Sequence, residues 1–404
     1  MVATAWFTIV IAGSGSFLTI TAIFRLHIST TILMLRKTLI ILGSFLAALA
    51  VVTFLFMQQK PFGKNPSNED RMSRILNSPQ YKDGSFRNRE DTKMLADDAS
   101  YWGMATKFFS KGVDREPSKS LPVIDTDLNS LPADKPTLVW FGHSSYLLSI
   151  GGRKILSDPV FSERASPVQY SGPKAYPGTM IYGVEDFPSL DAVVITHDHY
   201  DHLDYNSIQK LNEKTAAFCV PLGVGEHLES WGIPASKIFE FDWWESKTLA
   251  DSLEFICTPA RHFSGRGFTR NKTLWGSFVI KAGEQTVFLG GDSGFDGAFK
   301  EIGAKYGPFD IAMLECGQYD LQWPQIHMMP EETVQAAIDL QAKVFLPVHW
   351  GKFTLALHAW RDPIRRAVKH ASANGAKITT PQIGEPIILG EYLPVTAWWE
   401  DGTP

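Results

Sequence analysis

Residues 191–202 read Asp-Ala-Val-Val-Ile-Thr-His-Asp-His-Tyr-Asp-His, an apolar run that turns abruptly into histidines and aspartates. The first half has the β-branched, uncharged character of a buried strand. The second half places four metal-binding side chains, His197, His199, Asp201 and His202, within six residues. In extended backbone, side chains two apart point the same way, so His197 and His199 address one point in space. Asp201 and His202 need a turn, which can aim them at a second point beside the first. Imidazole with carboxylate suits zinc or a related divalent cation. An incidental polar loop would not concentrate so many donors at the end of an apolar strand.

Three more donors lie further along. His262 follows the strand-like Leu-Glu-Phe-Ile-Cys-Thr-Pro-Ala of residues 253–260. Asp292 sits in Phe-Leu-Gly-Gly-Asp-Ser-Gly at 288–294, and His349 in Phe-Leu-Pro-Val-His-Trp-Gly at 345–351. Each alone is an ordinary strand-end polar residue. Together they repeat one pattern, a metal-binding side chain at the carboxyl end of an apolar strand.

The motif His-x-His-x-Asp-His after a strand resembles the signature of the metallo-β-lactamase superfamily, and the later donors come in that superfamily's order. The resemblance implies an α/β fold, the metallo-β-lactamase αββα sandwich. It also implies two Zn²⁺ per chain, other divalent metals being admissible. One would be held by His197, His199 and His262, the other by Asp201, His202 and His349, with Asp292 bridging. Two ions about 3.5–4 Å apart can share a hydroxide and so supply a nucleophile at neutral pH.

A narrower resemblance spans residues 140–351 and is to the N-acyl-phosphatidylethanolamine-hydrolysing phospholipase D family. It rests on SDPVFSERASPVQYSGPK (157–174), ITHDHYDHLDYNS (195–207), FDWWE (241–245), LWGSF (274–278), GGDSGF (290–295), KYGPFDIAMLECG (305–317), HMMPEE (327–332) and the His-Trp-Gly at 349–351. The implied reaction is hydrolysis of a membrane phospholipid to N-acylethanolamine and phosphatidic acid, by attack of metal-bound hydroxide on phosphorus. Asp292, Asp201 and His327 are then the catalytic candidates, His327 by positioning the substrate phosphate. The sequence departs from that family at Leu314-Glu315-Cys316 and in carrying an amino-terminal apolar segment. A lactonase or other small-molecule metallohydrolase on the same fold is the competing enzymatic reading, and a lipid-binding protein without catalysis the competing one of another class.

The organisation agrees with a lipid substrate. Residues 38–57 are an unbroken apolar run behind Arg36-Lys37, matching the ~20 residues that cross a ~30 Å hydrocarbon core. Residues 2–24 are a weaker second span, and Met34 would make a natural start for a single anchor. An uncleaved anchor is favoured over a cleaved signal because the run is long and no small-residue site follows it closely. The basic pair at its start favours a catalytic domain on the non-cytoplasmic face. Three regions are expected: an anchor at 1–59, a linker or strap packing on the catalytic domain at 60–130, and the hydrolase at 131–404. Tyr81, Phe86, Trp102, Phe108 and Phe109 favour the strap, since a solvated linker has no use for aromatics.

Composition excludes more than it assigns. A formal net charge of −5 and no basic extension argue against a nucleic-acid partner. The three cysteines, Cys219, Cys257 and Cys316, are scattered and encode no disulfide framework. A homodimer is among the assemblies open to such a chain. Trp243 and Trp244 read as core or wall, the basic residues of 361–369 as a solvated helix face, and His143, in Gly-His-Ser-Ser, as a neighbour of the site.

Overall fold

The computed structural model describes residues 20–109, 114–249 and 253–400. Phe108 and Phe109, among the aromatics expected in the strap, have no described side chains, and most of the expected span at 2–24 lies outside the described residues. The chain divides into two compact units, Met1–Gln59 and Lys60–Pro404.

In the first unit, helix α1 runs Ile20–Met57. Its stretch Ile32–Met57 has a mean hydropathy of 2.7 and none of its scored window buried. Leucine, isoleucine, valine and phenylalanine are exposed all round it, from Ile32 to Leu55. A helix apolar on every face has the length and composition to cross a bilayer.

The second unit begins with α2 (Glu69–Asn77), capped by the Asn68 side chain, a small hairpin of β1 (Tyr81–Lys82) and β2 (Ser85–Phe86), and α3 (Tyr101–Phe109). The strands β3 (Thr137–Trp140), β4 (Tyr146–Ile150), β5 (Arg153–Ser157) and β6 (Leu190–Val194) follow. After α4 (Tyr205–Leu211) come β7 (Thr215–Pro221), α5 (Gly225–Ser230) and β8 (Ile238–Phe241). With β15 (Pro386–Ile388) they form a seven-stranded sheet in the order β15-β3-β4-β5-β6-β7-β8. Gly151 and Gly152, both at positive φ, make the tight turn between antiparallel β4 and β5.

A second sheet of six strands has the order β14-β13-β12-β11-β10-β9. Its members are β9 (Ser246–Leu249), β10 (Leu253–Thr258), β11 (Ser277–Ala282), β12 (Gln285–Leu289), β13 (Ile311–Glu315) and β14 (Phe345–Val348). Helices α6 (Ala298–Tyr306), α7 (Pro330–Asp339) and α8 (Asp362–Asn374) accompany it.

Period-two alternation sorts the side chains into layers. Ala192 and Val194 of β6, with Phe255 and Cys257 of β10, belong to the core between the sheets. Val193 of β6 turns the other way, into a cluster with Ile208 of α4 and Leu228 of α5. Ile256 of β10 likewise joins Phe299 of α6 and Val334 of α7. Two sheets face to face with helices on both outer surfaces are the αββα sandwich. Trp243 is buried in the inter-sheet core and half-buried Trp244 packs against it.

Candidate metal centre

Each expected donor stands just beyond the end of a buried strand. His197, His199, Asp201 and His202 follow β6, His262 follows β10, Asp292 follows β12 and His349 follows β14. Side chains from different strands thus converge at one rim of the sandwich, the usual place for a site in sheets with parallel strands.

The donor atoms fall into two groups. His199 Nδ1 lies 2.9 Å from His197 Nε2 and 3.3 Å from His262 Nε2. Asp292 Oδ2 is 3.7 Å from each of those two Nε2 atoms. Its other oxygen, Oδ1, is 3.2 Å from His202 Nε2 and 3.3 Å from His349 Nδ1. Asp201 Oδ2 completes the second group, 3.5 Å from His202 Nε2. One carboxylate therefore faces both groups, one oxygen to each. Ligands about 2.0–2.1 Å from a tetrahedral ion sit about 3.3 Å apart, which is the spacing these atoms show.

The residues behind the donors fix which nitrogen faces inward. His202 Nδ1 donates to Asp158 Oδ2 at 2.8 Å, and His262 Nδ1 to the Ile326 carbonyl at 2.8 Å. Thr196 Oγ1 donates to Asp158 and accepts from His197 Nδ1 at 3.1 Å. When neutral, all three rings so turn an unprotonated Nε2 to the centre, the tautomer a metal requires. His202 Nε2 and Asp292 Oδ1 are buried with no hydrogen-bond partner among the described residues. A buried polar atom left unsatisfied costs about 1–3 kcal/mol. Two of them facing each other among converging imidazoles fit a cation between them, and the donor set fits a dinuclear centre.

Asp198, inside the same motif, turns away. Burial opposes its ionisation, but His227 Nε2 at 3.1 Å, Thr273 Oγ1 at 2.8 Å and Gly265 N at 2.6 Å hold the carboxyl below its usual range. It braces the loop from behind.

His143 is fully buried, with φ +53° and its Nε2 2.9 Å from Asp201 Oδ2. The sequence places it beside the site, and there it is. Asp158, Ser144 (Oγ 3.1 Å from His349 Nδ1) and Glu315 are site residues the sequence reading missed. Only Asp158 carries a signal, an acid directly after the strand-like Lys-Ile-Leu-Ser.

His327 stands over the centre, its ring 5.0 Å from His262 and 5.3 Å from His349, near parallel to the latter. Burial disfavours its charged form, and the Glu315 carboxylate 2.7 Å away outweighs that and raises its pKa. The donors open into a cavity of about 350 Å³. Its floor is polar, while Met94, Leu95 and Met104 from the 60–130 region, with Trp323 and Leu355, give it apolar walls.

A family profile described as Beta-lactamase superfamily domain matches residues 153–350. An uncharacterized protein of Mycobacterium tuberculosis is 38% identical over 331 residues, covering 80% of this chain and 87% of that protein. The chain belongs to the metallo-β-lactamase superfamily. It is a metal-dependent hydrolase of that superfamily. This hydrolase is also 36% identical over 230 residues to N-acyl-phosphatidylethanolamine-hydrolyzing phospholipase D 1 of Caenorhabditis elegans, covering 54% of this chain and 64% of that one. Among solved structures it resembles Igni18, a metallo hydrolase of Ignicoccus hospitalis, at 23% identity and a TM-score of 0.50. That match covers 63% of this chain and 97% of the other, and it bears on the fold.

Proposed function

We propose that this hydrolase is a membrane-anchored phosphodiesterase of phospholipase D type, cleaving N-acyl-phosphatidylethanolamine to N-acylethanolamine and phosphatidic acid. The observation that carries the reading is the cavity: a two-group donor floor under apolar walls. A phosphodiester with acyl chains needs both surfaces at once. The similarity to the C. elegans phospholipase supports it, as does the uncovered apolar helix Ile32–Met57, which would hold the enzyme at its substrate's membrane. In this reading 1–59 is the anchor, 60–130 a strap that walls the cavity, and 131–404 the hydrolase, facing the non-cytoplasmic side.

His197, His199 and His262 would hold one zinc ion and Asp201, His202 and His349 the other, with Asp292 shared. Held by these residues, the ions would supply a water of lowered pKa and positive charge opposite the phosphoryl oxygens. Asp292, buried between the groups, fixes their separation. Asp201, steadied by His143, keeps its carboxylate turned inward. His327 Nε2 reaches the phosphoryl group from the cavity wall. Water adds across the phosphorus–oxygen bond, so the N-acylethanolamine leaves with a proton and phosphatidic acid keeps the phosphate.

The test is hydrolysis of N-acyl-phosphatidylethanolamine in mixed micelles, beside Asp292→Asn and a chelated sample. Release of N-acylethanolamine is expected from the wild type, falling at least ~100-fold in both controls. Metal-replete protein that leaves this lipid intact and opens lactones would overturn the substrate and keep the fold.

A further inference from the structure

Glu315 ends β13, a strand buried at every position, and its side chain has no exposed surface. A carboxylate so placed is costly unless donors surround it. Three do: Ser293 N at 2.8 Å and Met328 N at 3.2 Å on Oε1, and His327 Nδ1 at 2.7 Å on Oε2. The fold builds this arrangement from both sides. Thr333 of α7 donates its hydroxyl to the Glu315 carbonyl at 2.7 Å, docking the helix start on the strand end, so that His327 falls opposite the carboxylate. The Asp292-Ser293-Gly294 turn packs beneath the same loop, where a Cβ at Gly294 would lie 2.0 Å from the Gln325 oxygen.

We propose that Glu315 is a positioning residue: it holds His327 with Nδ1–H turned to the protein and Nε2 turned to the cavity, and ties that orientation to the turn carrying Asp292. An ionised carboxylate only accepts, so it keeps a proton on Nδ1 whether the ring is neutral or charged. The His349 ring stacked on one side and the His262 ring meeting it edge-on keep the imidazole in that plane. Glu315 also lies within 4.8 Å of Asp292 and His349 donor atoms, as a metal ligand would. Both of its oxygens are already taken by hydrogen bonds, which favours positioning over ligation. The inference rests on the reading that His327 touches the phosphoryl group.

Glu315→Gln separates positioning from mere satisfaction of buried backbone donors. The amide oxygen still accepts from Ser293 N and Met328 N, while its NH₂ donates to His327 Nδ1 and forces the proton to Nε2. The zinc-loaded full chain in detergent, labelled with ¹⁵N-histidine, is compared with Glu315→Gln, His327→Ala and the double variant. Long-range ¹H–¹⁵N spectra recorded through the His327 titration are expected to show its neutral ring as the Nδ1–H form in the wild type and the Nε2–H form in Glu315→Gln. Bound zinc should be unchanged. With N-acyl-phosphatidylethanolamine, and with bis(p-nitrophenyl) phosphate as a soluble phosphodiester, kcat should fall about 10–100-fold and KM change less than about 2-fold. In the His327→Ala background the same substitution should change kcat less than about 2-fold. An unchanged tautomer, loss of zinc, or an equal fall in both backgrounds would overturn the proposal. If the lipid is not cleaved but the tautomer switch and the soluble-substrate pattern hold, the substrate reading fails and the positioning stands.

Discussion

Lys352 is buried beside the site, its ammonium donating to the Val160 carbonyl at 2.9 Å between the rings of Phe161 and Phe353. Burial pushes its pKa down from 10.5 to about 7, against the opposing pull of Asp204. Because the folded value is the lower one, the unfolded chain binds the extra proton between pH 7 and 10.5. Stability should therefore rise with pH through that window, and the cost of the buried charge is fully present below pH 7. Lys352→Met removes that cost and loses one hydrogen bond. Its unfolding free energy from urea titration should exceed the wild type's at pH 6.5, by on the order of a few kcal/mol, and the gap should close towards pH 10.5. A gap independent of pH would mean that the folded lysine keeps its ordinary pKa and stays charged through the window. At this scale the expected metal ligands were legible because they follow apolar strands, four of them after β6 and one each after β10, β12 and β14. Asp158, Ser144 and Glu315 were not, because each matters only through a partner that the fold delivers from far along the chain, such as His202 for Asp158.

At the scale of elements, the 60–130 region is bound to the sandwich by charge as much as by packing. Arg71 of α2 is buried and pairs with Glu226 at 2.7 Å, Glu229 at 2.8 Å and Glu240 at 2.8 Å. Removing one partner of a buried ionic cluster strands the others, at a cost of about 3–5 kcal/mol. Arg71→Met should cost that much in denaturant unfolding and make residues 60–130 the first site of limited proteolysis. Cleavage spread evenly over the chain would show that the helix is held by other contacts. The strands β6, β10, β12 and β14 could be read from sequence because their residues are mostly buried and apolar. Strand β7 was hidden by its Ala-Ala and closing Pro221, edge strand β9 by its polar Ser-Lys-Thr, and α6 by the glycines that flank and interrupt it.

At the scale of the whole molecule, the break after Gln59 separates two kinds of solubility problem. The unit from Lys60 onward contains all seven expected metal ligands, the cavity and its apolar wall, and buries its own core. The chemistry should therefore survive without the apolar helix. What the helix supplies in the proposed reading is concentration, since an enzyme confined to a surface meets a surface-bound substrate far more often than one in free solution. A chain beginning at Lys60 should hydrolyse bis(p-nitrophenyl) phosphate within about 3-fold of the full chain. Its rate on N-acyl-phosphatidylethanolamine should fall at least ~10-fold against the full chain when both are mixed with the lipid as vesicles, and much less in detergent micelles that disperse enzyme and lipid alike. Equal vesicle rates with and without the helix would remove the anchor from the functional argument and leave the cavity to account for lipid capture alone.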